Sequence, residues 1–93
     1  MGSQLSMCAT AMLTAIVSND VLDTDQLMAI VPWNEPSVGC GEDLLRWFDD
    51  LQQLLDWALI VREPAPHAYL YQATPAGARH VYGLTVTQRM GTV

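Results

Sequence analysis

The spacing of the apolar residues changes near Ala58, and this change limits the folds that are open to the chain. Before Ala58 the apolar residues recur every three or four positions, as on one buried face of a helix. Leu59 to Arg62 is then apolar and β-branched, and Ala68 to Ala73 alternates as strands do. The pattern predicts an α+β fold in which three helices precede a two-stranded β-hairpin.

The first two helices are predicted from apolar spacing and capping residues. The first runs from about Ser3 to Ser18, with one apolar face formed by Leu5, Cys8, Ala9, Met12, Leu13, Ile16 and Val17. The second begins after Asp23, which forms a capping-box pattern with Gln26. It ends at Pro32, and a loop rich in proline and glycine follows.

The third helix is predicted from about Gly41 to Trp57 and is amphipathic. The face expected in the core consists of Leu44, Phe48, Leu51, Leu55 and Ala58, widened by Trp47 and Leu54. The opposite face consists of Asp43, Arg46, Asp49, Asp50, Gln53 and Asp56. We therefore expect a buried apolar side and an acidic outer side.

A short C-terminal helix is predicted after the hairpin. Thr74 is an N-cap residue and Pro75 is favoured at the first helical position, so a helix from there to about Tyr82 is expected, closed by the following glycine. Residues 1–83 are predicted to form one domain, because a chain of 93 residues has room for a single core. Residues 84–93 show no clear period and are expected to be a flexible or dimer-forming tail.

Two segments carry a family resemblance. They are LQQLLDWALIVR, from Leu51 to Arg62, and YLYQATPAG, from Tyr69 to Gly77. They resemble the winged-helix superfamily, especially small bacterial regulators related to the MarR and PadR families, although Ala58 stands where glycine is usual. The resemblance implies a three-helix core, a hairpin wing and a short last helix. It also implies that the third helix enters the DNA major groove and that the wing lies along the DNA backbone.

The charge distribution argues against DNA as the ligand. The chain has ten acidic residues and no lysine. All ten acidic residues lie at or before Glu63 together with two arginines, a formal charge of −8, while the remainder carries +2. Nucleic-acid binding draws much of its affinity from neutralised phosphates, and carboxylates repel phosphate. The acidic helix face therefore favours a protein ligand, with a surface that is merely solvated as the plain alternative.

The leading functional hypothesis is a non-enzymatic adaptor or regulator that binds a protein partner. Its expected contacts are Asp43, Asp49, Asp50, Gln53 and Asp56 on the third helix and Trp33, His67, Tyr69 and Tyr71 in the loop and wing. A phage or mobile-element inhibitor of a host factor fits this description. The alternative is a dimeric DNA-binding transcription regulator that uses Arg46, Arg62 and His67. By resemblance, a homodimer would form through the tail and the alanines of the first helix, Ala9, Ala11 and Ala15.

The remaining candidate residues predict neither catalysis nor a cofactor. Cys8, Cys40, His67 and His80 lack the close pairs of ligands that structural zinc takes, so no metal site is expected. Reduced thiols are expected, because a domain with this much core does not need a disulfide. A cytoplasmic location is expected, because a signal-peptide pattern is missing. Trp47 is open to either a core or an interface role. Trp57 and Leu59 are expected to be buried under the hairpin.

Overall fold

The structure, a computed structural model, describes residues 5–34 and 44–91. Within these two ranges the chain forms four helices and a three-stranded antiparallel sheet, which confirms the α+β class. In chain order the elements are α1 (Met7–Asn19), β1 (Val21–Asp23), α2 (Thr24–Ile30), α3 (Leu44–Asp56), β2 (Ile60–Pro64), β3 (Tyr69–Ala73) and α4 (Pro75–Gly91).

Helix α1 begins at Met7, later than predicted, because Ser6 caps it. Ser6 Oγ accepts a hydrogen bond from the Ala9 N–H at 3.0 Å, which satisfies an amide that a helix start leaves free. The predicted apolar face is largely confirmed, with Cys8, Ala9, Met12, Leu13, Ala15 and Ile16 buried. Because Ala9 and Ala15 lie in the chain's own core, they are not available to a dimer seam. That part of the expectation is wrong.

A third strand, β1, was not expected from the sequence. It pairs antiparallel with β3, with Leu22 opposite Tyr71, and both of these residues are buried. The sheet order is therefore β1-β3-β2, with β3 in the centre. Three residues are too few for the alternation that marks a strand, so only the pairing with β3 defines this element.

The capping box of α2 is confirmed. Asp23 Oδ1 accepts a hydrogen bond from the Gln26 N–H at 2.7 Å, and Gln26 Oε1 accepts one from the Asp23 N–H at 3.0 Å. This reciprocal pair fixes the start of the helix directly after β1. The helix ends at Ile30, two residues before the proline that was expected to stop it.

Helix α3 forms as predicted, but its buried face is rotated from the expected stripe. The residues that face the core are Trp47, Asp50, Leu51 and Leu54. Leu44 and Phe48, which were expected inside, are exposed. The rotation places Trp47 fully inside, where its indole Nε1–H donates to the Val31 carbonyl oxygen at 2.7 Å. This bond ties α3 to the end of α2.

The end of α3 has the hydrogen bonds of a Schellman motif. The Leu59 N–H donates to the Leu54 carbonyl and the Ala58 N–H to the Leu55 carbonyl, both at 3.0 Å. Ala58 has a φ of 58°, the left-handed conformation that usually requires glycine at this position. Ala58 therefore adopts a conformation that glycine more often takes at this position.

Strands β2 and β3 pair antiparallel, as predicted, and both are shifted slightly along the chain. The register places Val61 opposite Gln72 and Pro64 opposite Tyr69. The Ala65 N–H donates to the Ala68 carbonyl at 2.9 Å and closes the connecting loop. The chain thus makes a tight hairpin between β2 and β3.

Helix α4 is longer than predicted. Its start is confirmed, because Thr74 Oγ1 accepts a hydrogen bond from the Gly77 N–H at 3.1 Å. The expected end at Gly83 is wrong: the helix runs to Gly91, so the predicted tail begins inside it. A helical glycine costs about 1 kcal/mol relative to alanine, which weakens a helix without ending it.

Thr74 and Gly77 join the start of α4 to the end of α3. Thr74 donates from Oγ1 to the Ala58 carbonyl at 2.7 Å and from its N–H to the Leu59 carbonyl at 3.0 Å. A Cβ at Gly77 would overlap the Leu59 carbonyl oxygen and would lie 3.2 Å from Leu13 Cδ1. The motif residues that carry the resemblance therefore build a structural joint.

The expectation of reduced thiols is wrong for Cys8. This residue is fully buried at the start of α1 and is disulfide-bonded. No free cysteine occurs within the described ranges. The chain's only other cysteine, Cys40, lies outside them. Sequence spacing could not predict the bond, because bonding depends on a distance that only the fold sets.

Candidate interaction surface

The side of α3 that points away from the core carries both apolar and acidic residues. At 100° per residue, the direction opposite Trp47, Leu51 and Leu54 is occupied by Leu45, Asp49, Gln52 and Asp56. We call these four residues the outer face of α3; all of them are exposed. Leu45 is 75% exposed, and beside it Phe48 is 42% exposed. Exposed large apolar side chains next to one another are typical of interaction surfaces.

The polar residues of the outer face lie toward its C-terminal end. Gln52 Nε2 donates to Asp56 Oδ1 at 2.9 Å, which orients the Asp56 carboxylate. Asp49, two turns before Asp56, is also exposed. Gln53, also predicted as a contact, is half-buried beside the outer face. Asp43, the remaining predicted acidic contact on this helix, lies outside the described residues.

Asp50 does not belong to this surface, and its predicted role as a partner contact is wrong. It is 8% exposed, faces the core and hydrogen-bonds the Ser6 side chain. Its Oδ2 has no hydrogen-bond partner among the described residues. Burial raises the pKa of Asp50 and repulsion from Asp49 adds to this, while the Ser6 hydrogen bond and Arg46 act in the opposite direction. The carboxylates of Asp49 and Asp50 thus point in different directions, as the helical geometry predicts.

Arg46 is the only cation of α3 and is exposed. It lies three residues before Asp49 and four before Asp50, spacings at which helix side chains are neighbours. Its attraction to Asp50 partly offsets the effect of burial, which raises the pKa of that carboxyl group. The predicted DNA contact at Arg46 is therefore surrounded by negative charge.

The β2–β3 hairpin presents a second exposed group. The Arg62 guanidinium lies 4.4 Å from the centre of the Tyr69 ring, a cation–π contact between diagonal positions of the two strands. His67 is exposed at the tip. Tyr71 was predicted as a contact, but it is buried and its hydroxyl lies 3.5 Å from Thr24 Oγ1. That prediction is wrong, because Tyr71 points to the core side of the sheet.

The three tryptophans differ in burial. Trp47, for which either role was open, is a core residue whose ring packs edge-on to Phe48 with centroids 5.0 Å apart. Trp33 is half-buried against the core. Trp57 was expected under the hairpin, but it is 39% exposed, whereas Leu59 is buried as predicted.

The residues that the sequence did not single out are Leu44, Leu45 and Phe48. The first and last were assigned to the core stripe, and Leu45 was assigned to neither face. Leu45 lies four residues before Asp49, so helical spacing alone places it on the acidic side. That spacing is the signal that could have identified it.

Comparison with protein-family models, with curated proteins and with solved structures finds no match for this chain. In the described ranges, no helix has both the length and the hydrophobicity of a membrane span. The same residues contain no cluster of three or more histidine, cysteine or acidic side chains arranged to hold a metal ion.

Proposed function

We propose that the chain is a non-catalytic winged-helix domain that binds a protein partner through the outer face of α3, with the hairpin tip contributing at His67 and Tyr69. The order of elements supports the winged-helix assignment, since three helices precede an antiparallel strand pair and a fourth helix follows. The passage from β3 into α4 through Thr74, Pro75 and Gly77 has the T-P-x-G pattern of that superfamily.

One observation carries the proposal: the outer face of α3 combines exposed apolar side chains with carboxylates. Leu45 and Phe48 offer surface whose burial against a partner is favourable at roughly 25 cal/mol per Å². Asp49 and Asp56 add charge that can select a partner. Interfaces between proteins have this composition, with an apolar centre and a polar rim.

The same surface is poorly suited to DNA, the ligand of the alternative hypothesis. A helix in the major groove brings its outer residues close to phosphates, and here Asp49 and Asp56 would be among them. The three basic candidates, Arg46, Arg62 and His67, are divided between α3 and the hairpin. Arg62 also lies over the Tyr69 ring, which covers part of its guanidinium group.

The test is affinity capture from a lysate of the organism that encodes the chain. The immobilised wild-type protein is compared with the double variant Leu45→Ser, Phe48→Ser. We expect the wild type to retain at least one protein. The amount of that protein retained by the double variant should be at least tenfold lower, because both apolar contacts are removed. Tyr82→Ser is the control, since Tyr82 is 62% exposed, between Leu45 and Phe48, but lies on α4.

Two results would contradict the proposal. Equal capture by the wild type and the double variant would show that α3 does not bind the partner. Binding of the wild type to duplex DNA, weakening steeply with added salt, would instead support the regulator, because salt competes with phosphate contacts. Circular dichroism of both variants checks that the fold is retained.

The remaining expectations stay predictions. Because Ala9 and Ala15 are buried in the core, a homodimer would have to form through the tail without them. Origin in a phage or mobile element remains a hypothesis from the sequence. The cytoplasmic location also stays a prediction, and the disulfide at Cys8 weighs against it, since stable disulfides are rare in that compartment.

A further inference from the structure

The outer face of α3 changes character along the helix axis. Its first residue, Leu45, is apolar and has the exposed Leu44 and Phe48 beside it. From Asp49 onward the outer face is polar and ends at Asp56. Asp56 lies eleven positions after Leu45, so the apolar and acidic ends lie roughly 16 Å apart along the axis. A ligand that matches both ends must itself be polarised over this length.

A further exposed apolar residue lies at the end of α2. The bond from the Trp47 indole to the Val31 carbonyl holds the end of α2 against α3, and Ile30, next to Val31, is 48% exposed. The Phe48 and Trp47 rings meet edge-to-face, with centroids 5.0 Å apart. Leu45 lies on the opposite side of α3 from Trp47, so the apolar end of the surface consists of Leu45 with Leu44 and Phe48 beside it.

The acidic end has the groups that recognise a cation. Asp56 is oriented by Gln52, and Asp49 lies two turns before it on the same face. Trp57 follows directly and is 39% exposed, and an indole ring attracts a guanidinium or ammonium group placed over it. All of these features favour lysine or arginine.

We propose that the partner presents a basic amphipathic helix of about three turns. Its apolar residues lie over Leu45 and Phe48, and its lysine or arginine residues lie near Asp49, Asp56 and Trp57. This inference rests on the proposed function and adds the chemistry and direction of the partner. A second copy of the chain is a poor occupant, because two chains of net charge −6 would meet at acidic surfaces.

The test is selection of a displayed library of random 16-residue peptides on the wild-type protein, with counter-selection on Leu45→Ser, Phe48→Ser. We expect the recovered peptides to be rich in lysine and arginine and to carry apolar residues at helical spacing. A recovered peptide, labelled for fluorescence anisotropy, should bind at least tenfold more weakly to Asp49→Asn, Asp56→Asn. The matched control Asp25→Asn removes an exposed charge on α2 and should leave binding within twofold.

Direction is tested with the same peptide after its apolar and basic halves are exchanged. The exchanged peptide should bind at least tenfold more weakly, because each half would then meet the wrong end of the surface. Recovery of neutral or acidic peptides, recovery of none, or equal binding by the exchanged peptide would overturn the inference. A dimer in sedimentation equilibrium that dissociates on Leu45→Ser would overturn it in favour of self-association.

The two proposals fail in different ways. If lysate capture depends on Leu45 and Phe48 while the selection yields no basic peptides, the inference is wrong and the proposed function stands. If the α3 variants alter neither capture nor peptide binding, both are wrong.

Discussion

The Ser6 hydroxyl serves two helices, since it caps α1 and also hydrogen-bonds the buried carboxylate of Asp50 on α3. It accepts from the Ala9 N–H at 3.0 Å and donates to Asp50. Asp50 receives only part of the hydrogen bonding it needs, because its Oδ2 has no partner among the described residues. A buried carboxylate that is incompletely paired destabilises the fold when it is charged.

Asp50→Asn should therefore make the protein more stable at neutral pH. Burial raises the pKa of Asp50 above its ordinary value of 3.8, so the folded chain keeps this proton at a higher pH than the unfolded chain does. Between 3.8 and the raised pKa, stability falls as pH rises. The gain in the variant should grow through this window and then level off, as urea denaturation at a series of pH values would show.

Glu63→Gln is the control for this experiment, because it removes an exposed carboxylate on β2. Its effect on stability should be small, because an exposed carboxylate contributes little to folding. If Asp50→Asn loses stability with rising pH as steeply as the wild type does, then Asp50 is not the cause of the pH dependence of stability.

Ala58→Gly should stabilise the protein by about 0.5–1 kcal/mol. The φ of 58° at Ala58 strains its Cβ, and glycine removes that strain at the C-terminus of α3. Chemical denaturation measures the difference. Ala65→Gly is the control, since among the described non-glycine residues only Asp20 and Ala58 have a positive φ. Ala65→Gly should lower stability slightly. If Ala58→Gly lowers stability by a similar amount, the backbone at Ala58 is not strained.

Gly77→Ala and Gly83→Ala should have opposite effects on stability. At Gly77 a Cβ would overlap the backbone of Leu59, so alanine should cost on the order of 1–3 kcal/mol or prevent folding. At Gly83 no atom lies within 4 Å of the added Cβ, and alanine should stabilise the helix by about 1 kcal/mol. Thermal unfolding of both variants checks this. A Gly83 variant that is as unstable as the Gly77 variant would argue against a helix through this position.

Reduction of the disulfide at Cys8 should lower stability by about 2–4 kcal/mol, mainly because the unfolded chain gains freedom. Urea denaturation with and without a phosphine reductant measures this loss. Intact mass under non-reducing conditions should show a monomer two hydrogens lighter than the reduced chain. A mass equal to that of the reduced chain would disprove the bond.

The features that the sequence predicted correctly depend on neighbouring residues. Asp23 and Gln26 form their capping box within three positions, and Thr74 caps α4 in the same way. The rotation of α3 was missed because it depends on Val31 and Ser6, which bond to Trp47 and Asp50 from other elements. No pattern within α3 contains that information.

The candidate surface was predicted in part for the same reason. Asp49 and Asp56 lie where helical spacing places them. Tyr69 and Tyr71 are two residues apart and share one face of the sheet, but Tyr71 pairs with Leu22 of β1 and is buried, whereas Tyr69 lies beyond the stretch paired with β1 and is exposed. A strand of three residues could not be foreseen from the sequence. Leu45 was overlooked because a leucine on a helix is usually assigned to the core.

Helix α3 is fixed at both ends, by the Trp47 indole on Val31 and by the joint of Thr74 and Gly77 around Leu59. A partner that binds its outer face therefore meets a helix that is already ordered. Little conformational entropy is lost on this side of the complex, so any ordering cost falls on the partner. A short and weakly structured segment could then bind well enough to be captured and still be released quickly.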